Sequence, residues 1–175
     1  MRSVAIVLLV GAGILPFAFA QTTLDATLQS QLKRVFPAAA SFSAKQPGPP
    51  PHFIAYTGDA ASRTIAGYVF WTTDVELLER GYDGPIKMLV GVDTKGILTG
   101  VLVTAHNEPY GYFSVEPPRF AEQFKGKDIR DPFKVGADVD AVSRATITIT
   151  SSARAIRNGA RRIARALMTP PGTAK

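Results

Sequence analysis

The chain has 175 residues, 46% hydrophobic and 19% charged, which suits one domain with a real core rather than two. It has no cysteine and only two histidines, His52 and His106, which excludes iron–sulfur ligation, thioether haem attachment and zinc–cysteine sites and argues against a histidine-rich metal centre. The formal net charge of +6 calls for an anionic partner, whether a membrane surface, an acidic protein or a phosphorylated ligand.

In chain order, the first twenty residues stand apart. Met1-Arg2 gives a positive start, and SVAIVLLVGAGILPFAFA is an apolar run broken by glycines and Pro16 that ends in Ala18-Phe19-Ala20 before Gln21. This layout predicts a signal peptide over 1–20, with an uncleaved N-terminal anchor as the alternative. No later stretch approaches the roughly 18 apolar residues of a membrane span. The expectation is an exported, soluble, periplasmic chain, for which nucleic acid is not an expected partner.

Residues 21–62 read as an N-terminal helix and a proline-rich region. TLDATLQSQLKRVFP (23–37) sets Leu24, Leu28, Leu32 and Phe36 on one helical face and ends at Pro37, and PGPPP (47–51) forms a stiff surface loop. HFIAYTG (52–58) and RTIAGYVFWTT (63–73) read as strands about the GDAAS turn, and DVELLERGYDGP (74–85) as a helical turn ending at Gly81. IKMLVGV (86–92) and GILTGVLVTAH (96–106) form a hairpin over Asp93-Thr94-Lys95-Gly96, with a positive φ expected at Gly96. NEPYGYFSVEPP (107–118) reads as irregular, PRFAEQFKGK (118–127) as a short helix, and 128–140 as a loop. TITIT (146–150) alternates like a half-buried strand. Ser151 or Ser152 then caps a helix with the stripe Ile156, Ala160, Ile163 and Leu167, stopped by Pro170-Pro171 before a flexible tail, 169–175. The order predicts an α+β domain over 63–168 with an antiparallel sheet flanked by helices.

Three stretches carry candidate chemistry. In GYDGPIK, Gly81, Gly84 and Pro85 either serve as loop residues or bring the backbone close to a flat ligand stacked on Tyr82. HNEPYGYF (106–113) is either a ligand-binding strand-end loop or a packed aromatic turn in which Glu108 caps backbone N–H groups. The pair His106 and Glu108 has no nucleophile beside it, so no catalytic residue and no metal ligand is assigned. DVDAVSRATITITSS (138–152) is either a strand with a threonine face or an anion site at a helix N-terminus with Arg144 and Arg154 near it. Arginines 154, 157, 161, 162 and 165 form a solvated face or a docking surface for a membrane or an acidic protein.

GYDGPIKMLVGVD, HNEPYGYF, QFKGK and DAVSRATITITSSARAIRNGAR, in this order over roughly 63–166, resemble the FMN-binding domain at the N-terminal end of NosR-type regulatory proteins. The same family includes the RnfG and NqrC subunits of ion-pumping redox complexes. The resemblance implies FMN held as a phosphoester by Thr146, the last residue of Ser143-Arg144-Ala145-Thr146, and attached by an FAD-dependent flavin transferase that recognises Asp140 and Ser143. By analogy with GYGGPI and ETPG segments, Tyr82, Gly84, Pro85 and Ile86 and then Glu108, Pro109, Tyr110 and Gly111 would line the flavin. Arg144 replaces the second motif residue as in NosR-like members, which favours that subgroup. Full-length NosR-like proteins continue into membrane helices and a cysteine-rich ferredoxin module. The implied role is therefore a carrier of electrons between separate proteins, such as a membrane reductase, a cytochrome or a metalloenzyme, rather than an enzyme with its own small substrate. A non-redox regulatory or assembly module for a metalloenzyme, and a flavin-dependent reductase of a small molecule, are the rival readings.

Overall fold

Alternation along the central strands decides the architecture. In the computed structural model residues 25–168 are described; the segment read as a signal peptide, 1–20, and the tail, 169–175, lie outside them. Five strands, β1 (Ser41–Phe42), β2 (Phe53–Thr57), β3 (Thr64–Trp71), β4 (Lys87–Asp93) and β5 (Leu98–Ala105), lie in chain order in one sheet, each antiparallel to the next. Tyr68 and Phe70 of β3 join one apolar cluster and Val69 the other; Met88, Val90 and Val92 of β4 join the first and Leu89 the second. A sheet apolar on both faces must be covered on both. Helix α1 (Ala26–Val35) covers one face with Leu32, Val35 and the following Phe36. A 22-residue helix at the end of the chain, 146–167, covers the other with Ile149, Ile156 and Ile163. The result is the expected α+β domain, built as helix, sheet and helix.

The predicted hairpin is present with its turn chemistry. The Asp93 carboxylate accepts the N–H groups of Lys95 and Ile97, both at 2.8 Å, and Gly96 has φ +86°. Between β3 and β4, α2 (Thr72–Val75) starts directly at the strand end and stops well before Gly81. The residues beyond it are drawn elsewhere: Glu76 and Glu79 pair with Arg162 and Arg154 of the last helix. The stretch read as irregular contains α3 (Gly111–Ser114), and α4 (Pro118–Glu122) is shorter than the 118–127 expected, although Phe120 and Phe124 are both buried as their shared face requires.

The main correction falls on TITIT. It is no strand but the opening of α5 (Thr146–Leu167), whose ladder begins with Ile149 N–H donating to Ala145 O at 2.9 Å. Ser151 and Ser152 are buried inside the helix instead of capping it, and Ser151 Oγ donates back to Thr148 O. The helix separates two isoleucines that a strand would put on one face: Ile149 is fully buried, whereas Ile147 is 57% exposed. Urea titration of Ile149→Ala should therefore show a loss of about 2–5 kcal/mol. Ile147→Ala should stay within about 0.5 kcal/mol of the parent. Equal losses at both positions would restore the strand.

Candidate functional site

The loop that enters β4 begins with a tight turn, Gly81 N–H donating to Gly84 O at 2.7 Å, with Gly84 at φ +107°. The peptides of Tyr82 and Asp83 are left with N–H groups pointing into the protein, and a carboxylate meets them. Glu108, 6% exposed, accepts Tyr82 N–H at 3.1 Å on one oxygen and Asp83 N–H at 2.9 Å on the other. The first of these oxygens also accepts the hydroxyl of Thr148, in the first turn of α5. Burying a carboxylate is tolerable because donors replace its water. The approach leaves no room for side chains: a Cβ on Gly81 would lie 2.3 Å from Glu108 Oε1. His106 holds the same loop from below, its Nδ1 accepting Glu108 N–H at 3.1 Å while Nε2 lies 3.3 Å from Glu116. A Cβ on Gly111 would lie 2.1 Å from that imidazole ring.

Three separate stretches thus converge. Tyr82, Pro109 and Tyr110 on one side and Arg144, Ala145, Thr146, Ile147 and Thr148 on the other line a cavity of about 320 Å³. Such a volume lies at the lower end of the roughly 300–1,000 Å³ usual for ligand pockets. Tyr82 is 70% exposed and Tyr110 43%, so their rings form an open aromatic wall. Thr146 is exposed in the first turn of the helix, whose N-cap, Ala145, supplies no side-chain hydrogen bond. Arg144 has φ +68°, in the left-handed region that favours glycine. A flat apolar ring system with a phosphate tail fits this donor set: aromatic faces for the ring, free helix-terminal N–H groups and hydroxyls for the tail.

Other predicted residues are placed differently. Ser143 and Asp140 are exposed on the approach to α5, and Asp140 N–H donates to the Gln123 side chain at 2.8 Å. Ile86 is buried in the core, its carbonyl accepting the Thr72 hydroxyl, and Gly84 and Pro85 shape the loop outside the cavity lining. Gly81 and Gly111 serve the approach of Glu108 and His106. Sequence reasoning missed Ile147 and Thr148 because a strand period was applied to them; helical spacing sets Thr148 inward beside Glu108. A larger groove of about 680 Å³ runs along β5 beside α4 and includes, of the candidate stretches, His106 alone. The sequence chemistry, not volume, selects the smaller cavity. Among the described residues no group of three or more His, Cys, Asp or Glu converges as a metal site, and no helix is long and apolar enough to cross a membrane.

The arginine-rich face is mostly engaged within the chain. Arg154 binds Glu79 at 2.6 Å, Arg157 donates to Pro132 O, Arg161 to Ile129 O and Asp131 O, and Arg162 pairs with Glu76.

Residues 81–161 match the model of the FMN-binding domain family. Curated relatives include the G subunit of the ion-translocating oxidoreductase complex of Shewanella baltica, 34% identical over 88 residues that cover 45% of this chain and 42% of the relative. Its counterpart from Pseudomonas aeruginosa is 34% identical over 91 residues, 46% of this chain and 42% of the relative. That of Photorhabdus laumondii is 36% identical over 101 residues, 52% and 46% of the two chains. The chain spans less than half the length of these relatives.

Glu108→Ala should remove about 1–3 kcal/mol of stability in urea, because two part-buried N–H groups and the buried Thr148 hydroxyl lose their acceptor. Amide exchange at Tyr82 and Asp83 should accelerate beyond the global change. Arg144→Gly should gain about 0.5–1 kcal/mol, since relief of about 1–2 kcal/mol of left-handed strain exceeds the entropy cost of glycine. A fall in thermal midpoint for Arg144→Gly would contradict that strain.

Proposed function

Since residues 81–161 belong to the FMN-binding domain family, we propose that this chain is an exported flavoprotein carrying FMN as a phosphoester on Thr146 and passing electrons between separate redox proteins. The observation that carries the reading is the position of Thr146. Thr146 is exposed at the first turn of α5 and lines a cavity walled by Tyr82 and Tyr110. Bound there, the flavin supplies one- or two-electron transfer. The hydroxyl of Thr146 does no redox chemistry. It moors the phosphate, where the free N–H groups and positive end of α5 offset the remaining negative charge. Attachment proceeds by exchange of phosphoryl esters: the Thr146 oxygen bonds to the flavin-side phosphorus of FAD, the pyrophosphate bond breaks, AMP leaves, and the hydroxyl proton passes to a base on the transferase. Asp140 and Ser143, exposed on the approach to the helix, are accessible to such a transferase. Glu108 positions the site by joining the Tyr82 loop to the first turn of the helix.

The relatives named as subunits of an ion-translocating oxidoreductase complex support a place in electron transport. Arg144 supports the NosR-like subgroup. In this reading residues 63–168 form the flavin domain, 21–62 precede it, 1–20 direct export to the periplasm, and the donor and acceptor are separate proteins. The regulatory-module alternative drew in part on an arginine-rich helix free to dock, and the internal bonds of four of those arginines weaken that part.

Intact mass of the chain produced together with a flavin transferase tests the attachment. The expected result is an increment of FMN less one water, with yellow colour retained on the unfolded polypeptide and absent from Thr146→Ala. A bare mass from cells that flavinylate another target would defeat the covalent reading.

A further inference from the structure

Thr146 lines two cavities, not one. On the flank away from the tyrosines, a second cavity of about 600 Å³ lies between α5 and the connection that precedes it. The helix contributes Thr146, Thr150, Arg154 and Arg157, one face at helical spacing, and the connection contributes Phe133 and Lys134. Both cavities are cationic, the tyrosine side through Arg144 alone. Around the second, the lining holds three cationic side chains, Lys134, Arg154 and Arg157, and no acid. Arg154 is neutralised by Glu79, and Arg157 is held by the Pro132 carbonyl. Lys134 is exposed and has no ion-pair partner among the described residues.

The backbone under Lys134 is fixed although its side chain is free. The Asp138 carboxylate accepts the N–H groups of Phe133 at 3.0 Å and Lys134 at 2.5 Å, and its charge is answered by Lys127 at 3.5 Å. Phe133 takes φ +53° to complete this turn, which sets Lys134 on the rim facing α5. A fixed backbone with an uncommitted ammonium at its tip is an arrangement suited to an anion.

Resting on attachment of the cofactor's phosphate to Thr146, we propose that this second cavity seats the phosphate, with Lys134 as the cation that recognises it. A phosphodiester on Thr146 keeps one negative charge, and its unbridged oxygens must face one flank or the other. The tyrosine flank offers them one cation, Arg144, beside aromatic walls that would desolvate them; the Lys134 flank offers three cations and no acid. The ring then lies on the Tyr82 side of Thr146 and the phosphate on the Lys134 side, so the threonine divides the cofactor into its apolar and anionic halves.

The test uses the Thr146→Ala chain, which cannot form the ester, titrated with FMN and with riboflavin, two ligands that differ only in the phosphate. FMN should bind about tenfold more tightly than riboflavin at low salt, as one charge-assisted contact would give. The advantage should shrink as salt screens it. Adding Lys134→Ala should remove most of that advantage and leave riboflavin affinity unchanged, which also shows that the cavity is intact; Lys134→Arg should retain it. Equal affinity for the two ligands, or an FMN preference indifferent to Lys134→Ala, would overturn the proposal. So would failure of both ligands to bind, since no preformed seat would then exist. The intact mass of the wild-type chain reports separately whether attachment at Thr146 itself has failed.

Discussion

One buried carboxylate, that of Glu108, organises everything around the candidate site. Its donors come from two directions: backbone N–H groups 25 and 26 residues earlier and a hydroxyl 40 residues later. None of these partners is near it in sequence, so the bonds are tertiary and define how the β4 entry loop sits against the opening turn of α5. The charge is kept inside because each oxygen has a polar partner, and removing the acceptor would leave the buried Thr148 hydroxyl unpaired and the two N–H groups without their tertiary anchor. The absence of a side chain at Gly81 follows from the same constraint, since any Cβ there would collide with the carboxylate. The aromatic wall and the helix terminus are therefore parts of one hydrogen-bonded unit.

The excess of positive charge has a second role that composition alone does not disclose. Along α5, Arg154 and Arg162 reach toward the 76–79 segment, while Arg157 and Arg161 reach toward carbonyls at 129–132. Irregular connections flank the helix on both sides, and backbone carbonyls in such connections need donors. A guanidinium supplies several donors in a planar fork on a long stem, which lets one helix serve both connections. The charge that reads as a surface for a partner is largely internal reinforcement.

Much of the sheet was legible because its signals are local. Strand alternation, the Asp93–Gly96 turn and the glycine that closes it each depend on residues within a few positions of one another, and β2 to β5 fall where those patterns place them. The stretch at 146–150 was misread for an equally local reason. Alternating threonine and isoleucine favours a strand in isolation, but the helix is selected by burial of Ile149 against the sheet and by the Glu108 contact to Thr148, which are both long-range. Tertiary packing overrides propensity here. The inward direction of Glu108 was present as one of two readings, and only the fold chooses between capping the backbone and facing a ligand. The approach of Tyr82, Tyr110 and Thr146 to one another was reachable through the family resemblance alone, because no periodicity links positions 82, 110 and 146.

The in-order sheet has a consequence for how the molecule comes to exist. Every strand pairs with its neighbour in sequence, so the sheet closes short loops and can assemble as a run of successive hairpins. The aromatic cavity has the opposite character: its walls come from stretches far apart in the chain and meet only when α5 docks. Thr146 acquires its aromatic neighbours only once α5 is docked. Any enzyme that acts on Thr146 and reads the assembled cavity would thereby act on finished molecules and pass over incomplete ones.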